Sequence, residues 1–125
     1  MDACPDCIQA RAALAQEFQT LRPLFAALGD ETRQLIFLAL LESDQVGLRV
    51  GELAQRTHLS RASLSRHLRV LCQAEVVRVH REGTRNYYYA NADTSQWSAF
   101  QSLADHVAAV VRSAVVQGYP DLDEH

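Results

Sequence analysis

The sequence predicts a mainly α fold with one small β-hairpin, and three observations carry that expectation. Apolar residues recur at helical spacing through most of the 125 residues. The period shortens to two only once, in "VVRVHREGTRNYYYA". Proline, glycine or a polar cluster punctuates the chain between the helical stretches. A chain of this length is expected to form one domain, 1–125, and 48% hydrophobic content is enough for a core.

Residues 1–7, "MDACPDC", read as a flexible tail. Residues 8–22 then read as an amphipathic helix through Ile8, Leu14, Phe18 and Leu21. Pro23 is expected to interrupt or restart it before Leu24, Phe25 and Leu28. Gly29 ends that stretch, and Asp30 is placed to cap a second helix running to about Leu41. Its Leu35, Ile36, Leu38, Ala39 and Leu41 are too apolar to face water widely, which marks it as the core helix. After the polar loop "ESDQVGLR", a short helix over "GELAQR" is followed by "THLS", where Ser60 can cap a further helix. Two short helices joined by so tight a turn form a helix-turn-helix unit over 50–72. The hairpin, residues 76–90, runs out from Val76 to Arg81, turns at "EGTR" and returns through Tyr87, Tyr88 and Tyr89. Strand alternation is expected to send at least one of those rings into the core. From Asp93 or Thr94 a long helix carries Trp97, Phe100, Leu103, Val107, Val110, Val111 and Val115 until Gly118 and Pro120 stop it. So apolar a helix at the chain's end calls for a partner beyond its own small core.

The stretch "LSRASLSRHLRVL" points to function. Winding it at about 100° per residue puts Leu64, Leu68 and Leu71 in one stripe. Ala62, Ser65, Arg66 and Arg69 fall opposite, with Ser63 to one flank. One face is built for burial and the other for phosphates and base edges. The net charge of −3 looks wrong for a nucleic-acid binder until it is divided along the chain. Residues 56–85 hold seven arginines against Glu75 and Glu82, a balance of +5, while the segments before and after are each −4. Lysine is absent, so every fixed cation is a guanidinium, the group suited to bidentate contact with phosphate or guanine. The candidate DNA contacts are Ser60, Arg61, Ser63, Ser65, Arg66, His67 and Arg69, joined at the hairpin tip by Arg81, Thr84, Arg85 and Asn86. Arg78 reads as part of a solvated strand face.

The element order is that of a winged helix-turn-helix. Within it, "LGDETRQLIFLALL", "VGELAQRTHLSRASLSRHLRVLCQAEVV" and "REGTRNYYYA" resemble the ArsR/SmtB family of dimeric bacterial repressors over residues 25–90. The "LSxxxxSRHLxxL" core and the hairpin ending in tyrosines carry the resemblance. It implies a DNA-binding repressor, binding an imperfectly palindromic operator in double-stranded DNA as a homodimer joined through residues 8–28 and 94–117. Many family members sense metals through two cysteines just before the "EL" of the short helix, where this chain has Arg49 and Gly51. Others share a metal between last helices; Asp105 and His106 begin such a pattern, but Gln117 stands where a second histidine would be expected.

Cys4, Cys7 and Cys72 form an odd set without a secretory signal, which suggests a reducing compartment. No apolar run approaches the roughly 20 residues of a membrane span, and the chain is expected in the cytoplasm without membrane contact. DNA binding requires no cofactor. The cysteines are candidate ligands or redox groups for a soft metal, a metalloid or an oxidant that releases the operator. Two other readings are a winged-helix interaction module without DNA binding, and a thiol-disulfide redox protein using Cys4 and Cys7. "CPDC" has the CxxC spacing of the latter but no strand before it, and no P-loop, GxGxxG or GxSxG motif supports an enzyme.

Overall fold

The computed structural model describes residues 5–43 and 47–116 and, of their side chains, those of 8–43 and 47–114. In chain order the elements are α1 (Pro5–Leu28), α2 (Glu31–Glu42), α3 (Val50–Thr57), α4 (Arg61–Gln73), β1 (Val77–Glu82), β2 (Arg85–Ala90) and α5 (Thr94–Val116). The described residues divide into two compact units, 5–21 with 93–116, and 22–43 with 47–92. Among the described residues no helix is long and apolar enough to cross a membrane.

Two expectations about α1 are corrected. The helix begins at Pro5, inside the stretch read as a tail, because a proline at the first helical position sacrifices only an N–H that would lack a partner anyway. It also continues through Pro23 to Leu28. The proline leaves the carbonyl of Gln19 without its intrahelical donor, but both residues are exposed to water, while Leu24 and Ala27 nearby are buried. In the first unit Ala10, Leu21 and Leu103 are buried, and His106 Nδ1 lies 2.7 Å from Glu17 Oε1. Phe100, Val107 and Val111 lie along one exposed stripe of α5.

In the second unit Asp30 caps α2 as expected, its carboxylate accepting from the Arg33 N–H at 3.3 Å. Arg33 also closes the end of α1, donating from Nε to the Ala27 carbonyl (2.7 Å) and from Nη2 to that of Ala26 (3.2 Å), groups that a helix end leaves unpaired. Ile36, Ala39 and Leu40 of α2 are buried. Leu35, Leu38 and Leu41 are not: each is about half exposed, against the expectation that all of this helix's apolar side would be covered. A twelve-residue helix lying on one small core covers one face only, whatever its composition.

The hairpin pairs Val77 with Ala90 through to Glu82 with Arg85. The turn falls at "EGTR" as the sequence predicts, with Gly83 and Thr84 as the two loop residues between the paired Glu82 and Arg85; Gly83 at φ 63° supplies the left-handed first position. Tyr87, Tyr88 and Tyr89 are all half-buried, so no ring enters the core fully, because a two-stranded ribbon presents its outer length to solvent. Asn91 anchors the root of the hairpin, its Nδ2 donating to the Glu75 carbonyl at 2.7 Å and its backbone N–H to that of Val76 at 3.0 Å. The other anchor is a short bridge in which Leu48 and Tyr88 exchange both backbone hydrogen bonds at 2.8 Å. Gly47 makes it possible: its φ is 93°, and a Cβ there would stand 2.6 Å from the Tyr88 carbonyl oxygen.

Candidate nucleic-acid interface

The reading helix, α4, is set by its cap and its apolar stripe. Ser60 holds extended backbone and its Oγ accepts from the Ser63 N–H at 3.1 Å, ending a three-residue turn from α3 in which His58 is left-handed. Leu64, Leu68 and Leu71 are buried, which fixes the helix's rotation. The rotation turns Ala62, Ser65, Arg66 and Arg69 outward and leaves Ser63 half-buried at the flank, as the spacing predicts. Ala62 is small enough to let the backbone approach a groove.

All seven arginines of residues 56–85 are exposed. At the hairpin tip Thr84, Arg85 and Asn86 are exposed as well, and Arg81 Nε donates to the Gly83 carbonyl at 2.9 Å, so its guanidinium is steadied beside the loop. The bridge between Leu48 and Tyr88 brings the start of β2 against the segment before α3. Arg61, Arg85 and Asn86 thereby line one cleft of about 580 Å3 together with Arg49, Gly51, Glu52 and Gln55. Sequence reasoning placed the first three as separate contacts and missed Arg49 and Gln55. Arg49, an arginine directly before a helix, carried a readable charge signal; Gln55 carried none.

His67 is placed otherwise than the sequence suggests. It is half-buried, its Nδ1 3.3 Å from Arg33 Nη1 and 3.6 Å from Asp30 Oδ2, so it ties α4 to the start of α2 instead of joining the outward face. Cys72, near the end of α4, is half-buried, and burial pushes its thiol pKa up, against the thiolate that metal binding and oxidation require. Of the other thiols, Cys4 lies outside the described residues and Cys7 belongs to the first turn of α1, with its side chain outside them. Burial likewise raises the Tyr88 hydroxyl. His106 is engaged by Glu17, and among the described residues no group of three or more His, Cys, Asp or Glu is placed to hold a metal.

A short scaffold helix, a capped recognition helix with a basic outer face and an arginine-tipped hairpin define a winged helix-turn-helix regulator of transcription. Residues 30–79, from the cap of α2 into β1, match the model of the bacterial regulatory proteins of the arsR family. Over 73 residues the chain is 37% identical to the transcriptional repressor SdpR of Bacillus subtilis, covering 58% of this chain and 78% of that one. An ArsR-like transcriptional regulator from Rhodococcus sp. RHA1 superposes with a TM-score of 0.65 at 27% identity, over 82% of this chain and 92% of its own. HlyU from Vibrio cholerae gives 0.55 at 28%, over 66% and 87%. The chain belongs to the arsR family of DNA-binding transcriptional regulators.

Proposed function

We propose that the protein is a homodimeric repressor that binds an imperfectly palindromic operator in the cytoplasm. The observation that carries this reading is the outward face of α4, where Ser65, Arg66 and Arg69 stand exposed on a helix whose rotation three buried leucines fix. Arg61 and Ser63 flank that face, and Ser60 caps it. Arg66 and Ser63 read base edges in the major groove; Arg69 and the wing residues Arg81, Thr84, Arg85 and Asn86 hold the backbone. His67 positions the helix. The exposed apolar stripe of α5, with Ile8 and Phe18 on α1, supports a partner copy that sets the two reading helices about 34–36 Å apart. The repressive sense follows SdpR, a named repressor.

Two variant sets test the division of labour. Arg81→Ala with Arg85→Ala weakens binding to all duplexes alike and lowers the slope of log K against log salt by about 0.9 for each phosphate no longer neutralised. Arg66→Ala costs about 1–3 kcal/mol on the operator and relaxes base preference at one position. Competition shift assays over a salt series read both, and wing variants that change preference while Arg66→Ala changes nothing would refute the placement.

Release by a soft metal, a metalloid or an oxidant falls to Cys4 and Cys7, since the raised pKa of Cys72 keeps it a poor thiolate. Cys4→Ser with Cys7→Ser removes any such release without weakening DNA binding in its absence. Operator affinity that is the same with reductant, oxidant, arsenite and a metal series in the unaltered protein would exclude thiol-borne release.

A further inference from the structure

One ring nitrogen of α4 stands between a fixed cation and a carboxylate. His67 Nδ1 lies 3.3 Å from Arg33 Nη1 and 3.6 Å from Asp30 Oδ2, and those two atoms are themselves 3.6 Å apart. The side chains of His67 and Arg33 are each 19% exposed, so water replaces little of what they give each other. A guanidinium only donates, so the contact with Arg33 is a hydrogen bond only while Nδ1 is bare and the ring keeps its hydrogen on Nε2. Arg33 carries the contact further. Its Nε and Nη2 hold the carbonyls of Ala27 and Ala26, so one side chain joins the end of α1 to α4 through His67. A proton on Nδ1 reverses the pairing: the ring becomes a donor, Arg33 meets a like charge and Asp30 becomes the partner. Among the described residues Asp30 and Arg33 are the charged groups that face the ring from α2. On α3 and β1, which also pack on α4, the acids are engaged elsewhere, Glu52 Oε1 by the Arg49 N–H at 2.8 Å and Glu82 Oε2 by His80 at 3.2 Å. The arginines of those two elements, Arg56, Arg78 and Arg81, are exposed.

We propose that Arg33 and His67 form a proton-operated latch on the recognition helix, closed while His67 Nδ1 accepts from Arg33 and open once that nitrogen takes a proton from solvent and pairs with Asp30. Closed, the latch holds α4 to the end of α1 in one orientation. Open, it leaves the orientation to the leucine seam, and the match of Ser63 and Arg66 to base edges loosens. The latch rests on the proposed reading by α4 for that consequence alone. The positive charge gained on protonation favours every duplex alike, so acid removes sequence preference more than affinity.

Two measurements test the latch and its consequence separately. Imidazole 15N spectra of the protein without DNA are recorded from about pH 8 to about pH 5, the range in which histidine changes charge, following His67 and the Arg33 Nε–H. A bare Nδ1 and a protonated Nε2 are expected at the upper end, and protonation of Nδ1 shifts the Arg33 signal with the same midpoint. His67→Asn places Oδ1 where Nδ1 stands, an acceptor that takes no proton, and its Arg33 signal loses that transition. A proton on Nδ1 at the upper end, or an Arg33 signal indifferent to the ring's titration, overturns the latch. For the consequence, a duplex selected from a randomised pool at about pH 7.5 competes with the unselected pool at that pH and at about pH 5.5. Preference for the selected duplex should fall about tenfold in the unaltered protein, the worth of one hydrogen bond to a charged group. It should hold constant in His67→Asn and be low at both pH values in His67→Leu, which offers no acceptor. A preference that ignores pH in the unaltered protein, or falls as steeply in His67→Asn, overturns control of reading by the latch. Ring titration that moves Arg33 in a protein that selects no duplex keeps the latch and removes reading by α4.

Discussion

Val107→Asp combined with Val111→Asp should yield a monomer that holds its fold and loses operator affinity by about 10³-fold. Both valines are exposed, at 36% and 47%, on the same stripe of α5 as Phe100. Charge at those positions therefore costs the single chain little, but a buried dimer interface would have to desolvate two carboxylates per protomer. A palindromic site held by two linked reading heads then becomes two independent half-sites, and the lost effective concentration accounts for roughly 10²–10⁴ in affinity. Sedimentation equilibrium and a shift assay on the same preparation measure the two effects together. A dimer that survives the double change, or a monomer that binds the operator as tightly as before, would contradict dimerisation through α5.

Leu64→Ala should lower the free energy of unfolding by about 3 kcal/mol. The side chain is wholly buried, in the stripe that sets the rotation of α4, and its removal leaves a cavity in the core of the unit that carries the interface. For a domain of this size that is a fall in melting temperature of about 10 °C. Urea unfolding monitored by Trp97 fluorescence and by far-ultraviolet dichroism gives the value directly. A loss below about 1 kcal/mol would mean that α4 is held mainly by something other than its leucine seam.

The contrast between α4 and α2 shows which features are legible without a structure. For α4, the cap at Ser60, the turn before it and the leucine seam are local regularities, and each stands in the structure where the spacing puts it. For α2, the cap at Asp30 is equally local and equally well placed. Its burial is not. The helix is apolar on more than one side, and periodicity cannot say which side the core takes; the structure buries Ile36, Ala39 and Leu40 and leaves Leu35, Leu38 and Leu41 at the surface.

The helix-turn-helix, the hairpin and the concentration of arginine in residues 56–85 are all written in the order of amino acids, because capping, period and charge are properties of neighbouring residues. How those pieces meet is settled by packing alone. The Leu48–Tyr88 bridge, allowed by Gly47, gathers Arg49, Arg61 and Arg85 from three separate parts of the chain around one cleft. The packing of α4 beside α2 turns His67 toward Asp30 and Arg33 and away from the reading face. Burial near the end of that helix sets the state of the Cys72 thiol. Each of these depends on residues brought together from positions distant along the chain, and such a juxtaposition leaves no periodic trace in the sequence.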